Sequence, residues 1–404
     1  MTYSLLVARE LRSTLTSPER PATPNRRTAE PPRGLLRRVA LRIARTALFF
    51  ATLSVVLVPT RLPTQALEAS FGAAERAFLA AAVLGAPIAS RRNEGRYEAR
   101  IAASNAERGR NLFRDPSFSR DGTLACASCH IPEAAFASPR TVQGRNTPTL
   151  YGTAALRFLN WDGSSDSLVA QGRGPLTHPL EMGADCAHVG RTLAERYDVE
   201  SREDDSCFDF LLDVSAYLRR LETPPPTRFD VFAVAARTGT LATLSPTLSQ
   251  QALRGMALFA GEGRCAQCHT GPNLSNGGFH NVGVPQALEE PAGKAAGRIE
   301  GLSRLALNPY RCEDCEESKI VPVGRRTALG AFKTPPLREL TRTAPYAHNG
   351  LFVDLDAVVD HYVMAPDAVV GDSELAPAPL DASEKSDIVA FLRSLSSVGG
   401  EDRR

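Results

Sequence analysis

Apolar positions along this chain recur mostly at helical spacing. Leu355, Val358, Val359 and Tyr362 fall at i, i+3, i+4 and i+7, which puts all four on one face of a helix. Behind Asp381, the residues Ile388, Phe391, Leu392 and Leu395 predict a closing helix with an acidic cap and one apolar stripe. Ser104-Asn105-Ala106-Glu107 has the form of a capping box and opens a helix through Leu112-Phe113. Residues 66–90 are Ala-rich and predicted helical, and a further helix over 208–221 stops at Pro224-Pro225-Pro226. From 115 to about 166, Gly and Pro punctuate a long loop. Strict apolar-polar alternation is scarce, so the class is mainly α.

One helix signature occurs twice. Arg108-Gly109-Arg110-Asn111-Leu112-Phe113 leads to Cys126, and Arg254-Gly255-Met256-Ala257-Leu258-Phe259 leads to Cys265. A helix, a loop and a cysteine pair thus follow in the same order on both sides of the proline run, which divides 67–228 from 229–400. A chain of 404 residues is long enough for two such domains. The formal charge of +2 hides an asymmetry: residues 1–66 carry eleven Arg and three Glu, a local +8 that leaves the rest at −6. The body therefore has no broad cationic surface to recommend nucleic acid. Within 1–66, Arg-rich sequence precedes an apolar run from Thr46 to Pro59 and a small-residue exit at Thr64-Gln65-Ala66. That order describes an export signal to the periplasm, with an uncleaved membrane tether as the alternative.

The chemistry lies in the cysteines. Cys126-Ala127-Ser128-Cys129-His130 and Cys265-Ala266-Gln267-Cys268-His269 both read C-x-x-C-H. In that spacing two thiols reach the two vinyl groups of one haem while the adjacent imidazole ligates its iron. Two copies in a repeated context predict two covalently bound haem c groups. Cys312-Glu313-Asp314-Cys315 lacks the following His and reads as a disulfide, and Cys186 with Cys207 is a second candidate bridge. Spacing alone does not fix how these four pair.

Further motifs carry a resemblance. Asn146-Thr147-Pro148-Thr149-Leu150, Trp161-Asp162-Gly163, Gly174-Pro175, Glu181-Met182-Gly183, Thr334-Pro335-Pro336-Leu337-Arg338 and Thr343-Ala344-Pro345-Tyr346-Ala347-His348 follow in order over residues 100–395. This series resembles the bacterial dihaem cytochrome c peroxidases, a family that includes MauG-like enzymes. The resemblance implies two cytochrome-c-like helical domains packed with their haems facing the interface. It further implies a haem peroxidase that reduces hydrogen peroxide at the N-terminal haem, with electrons passing through the C-terminal one. Trp161, the one Trp of the chain, matches the relay between the haems. Gln171 and Glu181 match the pair above the peroxide site, where a carboxylate can move a proton from the near peroxide oxygen to the far one. Asn146, Thr343 and Pro345 match the residues that hold calcium between the domains, and an amide oxygen with two carbonyls is a hard ligand set suited to Ca²⁺.

Axial ligands separate catalyst from carrier. Residues 131–160 contain no His, so the N-terminal haem lacks the distal His of members that need reductive activation and is expected to be open; His178 is the one nearby residue able to close it. The C-terminal haem of the family is closed by a Met, but fourteen residues past His348 this chain has Tyr362, as MauG-like members do. Met364 lies about 200° further round the helix. A hard phenolate oxygen favours oxidised iron, a soft thioether reduced iron. The expected activity is MauG-like oxidation of a partner protein. The alternatives are detoxification of peroxide with a small cytochrome or cupredoxin donor, and a non-enzymatic electron-transfer cytochrome.

Overall fold

In the computed structural model, residues 71–82, 97–200, 206–221, 224–240, 248–285, 296–308, 310–311 and 328–397 are described. The Arg-rich leader with its apolar run and exit sequence, and Cys312 and Cys315, lie outside them. The helices in chain order are α1 (Ala73–Ala82), α2 (Glu98–Ala103), α3 (Ala106–Leu112), the single turn α4 (Cys126–Cys129), α5 (Leu168–Thr177) and α6 (Cys186–Tyr197). They continue with α7 (Cys207–Arg220), α8 (Arg228–Thr238), α9 (Gln250–Ala260), α10 (Arg298–Leu307), α11 (Leu355–Met364) and α12 (Ala382–Arg393). Sheet among the described residues amounts to two antiparallel ribbons. β1 (Thr141–Val142) pairs with β2 (Arg145–Asn146), and β3 (Phe279–His280) pairs with β4 (Phe332–Lys333). The class is mainly α, as the periodicity predicts.

Caps set the helix starts. Asp381 and Glu384 form the reciprocal capping box of α12, and Asp354 accepts from Ala357 N–H at 2.7 Å to start α11. The capping box expected at Ser104 is replaced by a simpler device. Ser104 ends α2, donating its hydroxyl to Arg100 O, while Asn105 accepts from both Glu107 N and Arg108 N and caps α3. Glu107 pairs with Arg110 instead of reaching back. Asn at the cap satisfies two of the four orphan N–H groups by itself, so the box is not needed.

The repeated helix signature has a repeated packing partner. Arg108 on α3 pairs with Asp213 on α7, and Arg254 on α9 pairs with Asp387 on α12 at 2.7 Å. Next to each arginine, a glycine lets two helix backbones touch. A Cβ on Gly109 would lie 1.9 Å from Asp213 O, and one on Gly255 would lie 1.8 Å from Asp387 O. Four residues beyond each aspartate an aromatic ring closes the crossing: Phe113 meets Tyr217 with centroids 5.4 Å apart, and Phe259 meets Phe391 at 5.2 Å. Both halves are therefore one helical crossing built twice, each beside a C-x-x-C-H turn.

Helix α1 packs on the second crossing: Phe78 contacts Phe229, Phe259 and Phe391 at 5.5–6.1 Å. Arg338, 1% exposed, ties this corner together, pairing with Asp230 of α8 at 2.6 Å and donating to Ala82 O and Pro272 O. A guanidinium this buried is tolerable because its donors meet a carboxylate and carbonyls at once. In the other half, Cys186 and Cys207 are bridged, joining the starts of α6 and α7. Closing a loop of 21 residues stabilises by about 3 kcal/mol through the unfolded state.

Candidate functional site

Both C-x-x-C-H segments hold their histidine the same way. His130 Nδ1 donates to Phe136 O at 2.9 Å, and His269 Nδ1 donates to Leu274 O at 3.1 Å. A carbonyl can only accept, so each ring carries its proton on Nδ1 and keeps a lone pair on Nε2, as an iron-ligating imidazole must. The backbone of Pro148 lies against the first ring and that of Pro335 against the second. Burial lowers the pKa of both, His269 to about 4, which keeps them neutral. The four C-x-x-C-H cysteines are free thiols, and burial pushes Cys126 and Cys265 up to about 12. These donor sets fit two covalently attached haems.

A cavity of about 430 Å³ adjoins the second motif. Cys265, Cys268 and His269 line it together with Leu355, Val358, Val359 and Tyr362, the whole apolar stripe of α11. Burial, with the Cys265 and Cys268 sulfurs adding to it, raises the Tyr362 phenol well above its ordinary range. The phenol thus stands close to the sulfurs of the second motif, whereas Met364 is 66% exposed and not part of the cavity wall. His348 also lines it, stacked on Phe332 at 3.7 Å, and burial followed by the Arg145 charge depresses it to about 3. His280 is held up at about 9 by the Cys268 sulfur and by Glu374, 2.7 Å away, against burial.

Glu181 sits in a tight return after α5. Glu181 N and Gly183 N both donate to His178 O, Met182 N donates to Pro175 O, and Ala184 N donates to Leu176 O. From the segment before α4, Arg120 pins this return through Met182 O at 2.8 Å and Gly183 O at 3.2 Å. Burial, with the Glu181 carboxylate adding to it, raises Cys129, which sets that carboxylate on the side of the first motif. Glu181 Oε1 accepts from Gln143 Nε2 at 3.0 Å. Gln171, by contrast, donates to Asn160 Oδ1 at 3.4 Å. His178 behaves opposite to the two motif histidines: its Nδ1 accepts from Leu180 N–H at 3.2 Å, so its proton sits on Nε2.

Trp161 joins the two halves. Its indole N–H donates to Asn146 O at 2.8 Å, and its own carbonyl accepts from Lys333 N at 2.7 Å. Asp162 beside it pairs with Arg304 of α10, and Arg298, between the rings of Phe158 and Phe279 at 4.2 and 4.3 Å, donates to Gly163 O. Asn146 and Pro345 are also brought together, with Asn146 Nδ2 donating to Pro345 O at 2.6 Å and to Ala347 O at 3.1 Å. That leaves Asn146 Oδ1 buried with no hydrogen-bond partner. Asn146, Thr343 and Pro345 line the same cavity.

Gln143, which reaches Glu181, and the pair His280 and Glu374 beside Cys268 belong to no motif in the sequence. Gly144 marks a turn, but Gln-Gly is not among the dipeptides that signal a two-residue hairpin, and Arg145-Asn146 after it has little strand preference. His280 and Glu374 lie 94 positions apart, and no spacing rule connects them.

Compared with known proteins, residues 103–233 match the family described as di-haem cytochrome c peroxidase. The chain is 30% identical over 309 residues to cytochrome-c peroxidase IdrP1 of Pseudomonas sp. (strain SCT), covering 71% of this chain and 79% of that one. It is also 30% identical over 309 residues to the methylamine utilization protein MauG of Methylorubrum extorquens, covering 72% and 77%. Among solved structures, a MauG-like protein associated with microbial copper homeostasis superposes with a TM-score of 0.55 at 25% identity, over 78% of this chain and 93% of that one.

Proposed function

The chain belongs to the di-haem cytochrome c peroxidase family and is a haem peroxidase with two haem cofactors, and from that premise we propose that it reduces hydrogen peroxide at the N-terminal haem and passes the oxidising equivalents to a docked protein. The haems, one held by Cys126, Cys129 and His130 and the other by Cys265, Cys268, His269 and Tyr362, supply the redox chemistry. What the chain's own residues supply is inequality. Beside the first motif stands a carboxylate, Glu181, with a histidine, His178, whose Nδ1 is engaged by Leu180 N–H. Beside the second stands a buried phenol. That contrast carries the reading, because an open iron can admit peroxide and a closed one can only exchange electrons. Trp161, hydrogen-bonded into both halves, is the relay in this reading, and Gln171 lies on the same helix that delivers Glu181.

Oxidation of a protein partner is preferred over detoxification with a small cytochrome or cupredoxin donor, since an oxygen ligand on the second haem favours its oxidised state over service as an electron entry. The Cys186–Cys207 bridge supports an oxidising compartment, the periplasm, as the place of action. No helix among the described residues is long and apolar enough to cross a membrane.

The ferric protein should give one high-spin and one low-spin haem signal by electron paramagnetic resonance, and peroxide should abolish the high-spin signal without prior reduction. Two low-spin signals would leave an electron carrier and remove both catalytic readings.

We also assign a calcium ion to Asn146, Thr343 and Pro345. A buried carboxamide oxygen without a partner, beside carbonyls that can only accept, is the environment a hard cation relieves. Metal analysis of the purified protein should find about one calcium per chain, lost in Asn146→Ala. Equal calcium in both proteins would place the ion elsewhere.

A further inference from the structure

The ribbon of β1 and β2 does two things at its two ends. At its base, Asn146 meets Trp161 and the 345–347 carbonyls. At its tip, Gln143 and Gly144 turn the chain with φ of 51° and 73°, the two-residue geometry that fits the twist of an antiparallel ribbon. Glycine adopts such a φ freely, whereas a residue with a Cβ does so under strain. This turn nevertheless places a glutamine there, and its side chain reaches across to the return that follows α5.

We propose that Gln143 is a positioning residue of the peroxide site, one amide N–H fixing the direction of the Glu181 carboxylate and the other anchored on His178. This rests on the reading of Glu181 as the proton carrier. Gln143 Nε2 lies 3.0 Å from Glu181 Oε1 and 3.2 Å from His178 Nδ1. Both are acceptors, the carboxylate by charge and Nδ1 through one lone pair that Gln143 shares with Leu180 N–H, so each proton of the NH₂ group faces an acceptor, the carboxylate being the stronger. The side chain is not needed to hold the ribbon. Register pairs Thr141 with Asn146 and Val142 with Arg145, and Asn146 N donates to His348 O at 2.9 Å. A proton shuttle works only when its oxygen is aimed, and a charge-assisted hydrogen bond is a strong way to aim it.

The test uses the full holoprotein and hydrogen peroxide in stopped flow. Gln143→Gly removes the amide at a position where glycine is unstrained, and should slow the reaction of the ferric protein with peroxide about tenfold, leaving the low-spin haem signal as in the parent. Added to Glu181→Gln, it should cause no further loss, since no proton carrier remains to aim. A parental rate in Gln143→Gly overturns the proposal, and so does a second full loss in the double variant, which would mark a merely structural contribution. A parental rate in Glu181→Gln instead overturns the reading of the carboxylate itself.

Discussion

Glu181→Gln is expected to slow the reaction of the ferric protein with peroxide by about 10²–10⁴-fold, the usual worth of a positioned general acid-base group. Glutamine keeps the size of the side chain and an oxygen that can accept from Gln143, so the return through Arg120, Met182 and Gly183 should survive. What it loses, on the function proposed above, is the ability to take a proton from one peroxide oxygen and give it to the other, so that the far oxygen leaves as water. Rapid mixing with peroxide measures this directly, with the visible spectrum of the low-spin haem as the control for folding. A loss below about tenfold would mean that water carries the proton and that Glu181 only lines the site.

Much of this was open to reading in the sequence because local chemistry fixed it. C-x-x-C-H needs no tertiary context, and the structure adds only the carbonyl that sets each tautomer. The helix repeat is half legible: Arg108-Gly109 and Arg254-Gly255 stand out by their glycines, while their partners do not. Those partners are themselves a repeat, Asp213-Val214-Ser215-Ala216-Tyr217-Leu218-Arg219 against Asp387-Ile388-Val389-Ala390-Phe391-Leu392-Arg393. The second repeat pairs the helices that cross, because each aspartate meets the arginine of the first. Ser104 and Asn105 are adjacent and both good caps, and only the end of α2 decides between them in favour of Asn105. Gln143 was not legible as a partner of Glu181, since 38 residues and a turn in the left-handed region separate them. Long-range polar pairs of this kind come from packing, which periodicity does not encode.

The same division explains the helix that lines the cavity beside the second C-x-x-C-H motif. Its stripe of Leu355, Val358, Val359 and Tyr362 was readable as one face, and that face lines the cavity. Periodicity also separated Tyr362 from Met364, since two positions along a helix turn a side chain about 200°; the methionine is accordingly in solvent. What periodicity could not say is that the face would meet Cys265, Cys268 and His269 rather than another helix.

Replacing that phenol should have the largest effect on the redox properties. Tyr362→Met exchanges a hard oxygen for a soft thioether, and should raise the potential of the C-terminal haem by on the order of 0.1 V or more, part of the roughly 0.8 V over which axial ligands move haem potentials. Tyr362→Phe should keep the ring and the α11 packing, remove the oxygen, and convert the low-spin ferric signal to a high-spin one. The two variants separate ligation from packing: a residue that merely fills the cavity would tolerate Phe with an unchanged signal, because the stripe beneath it remains whole. Potentiometric titration and electron paramagnetic resonance read the two outcomes independently. An unchanged potential in the Met variant, with the low-spin signal retained in the Phe variant, would return Tyr362 to the core and leave the second iron to another ligand. In the expected case the direction of the shift also bears on function. A higher potential makes the haem a better electron acceptor and a poorer store of oxidising equivalents, so the Met variant should gain peroxide turnover with a reduced cytochrome as it loses oxidation of a protein partner.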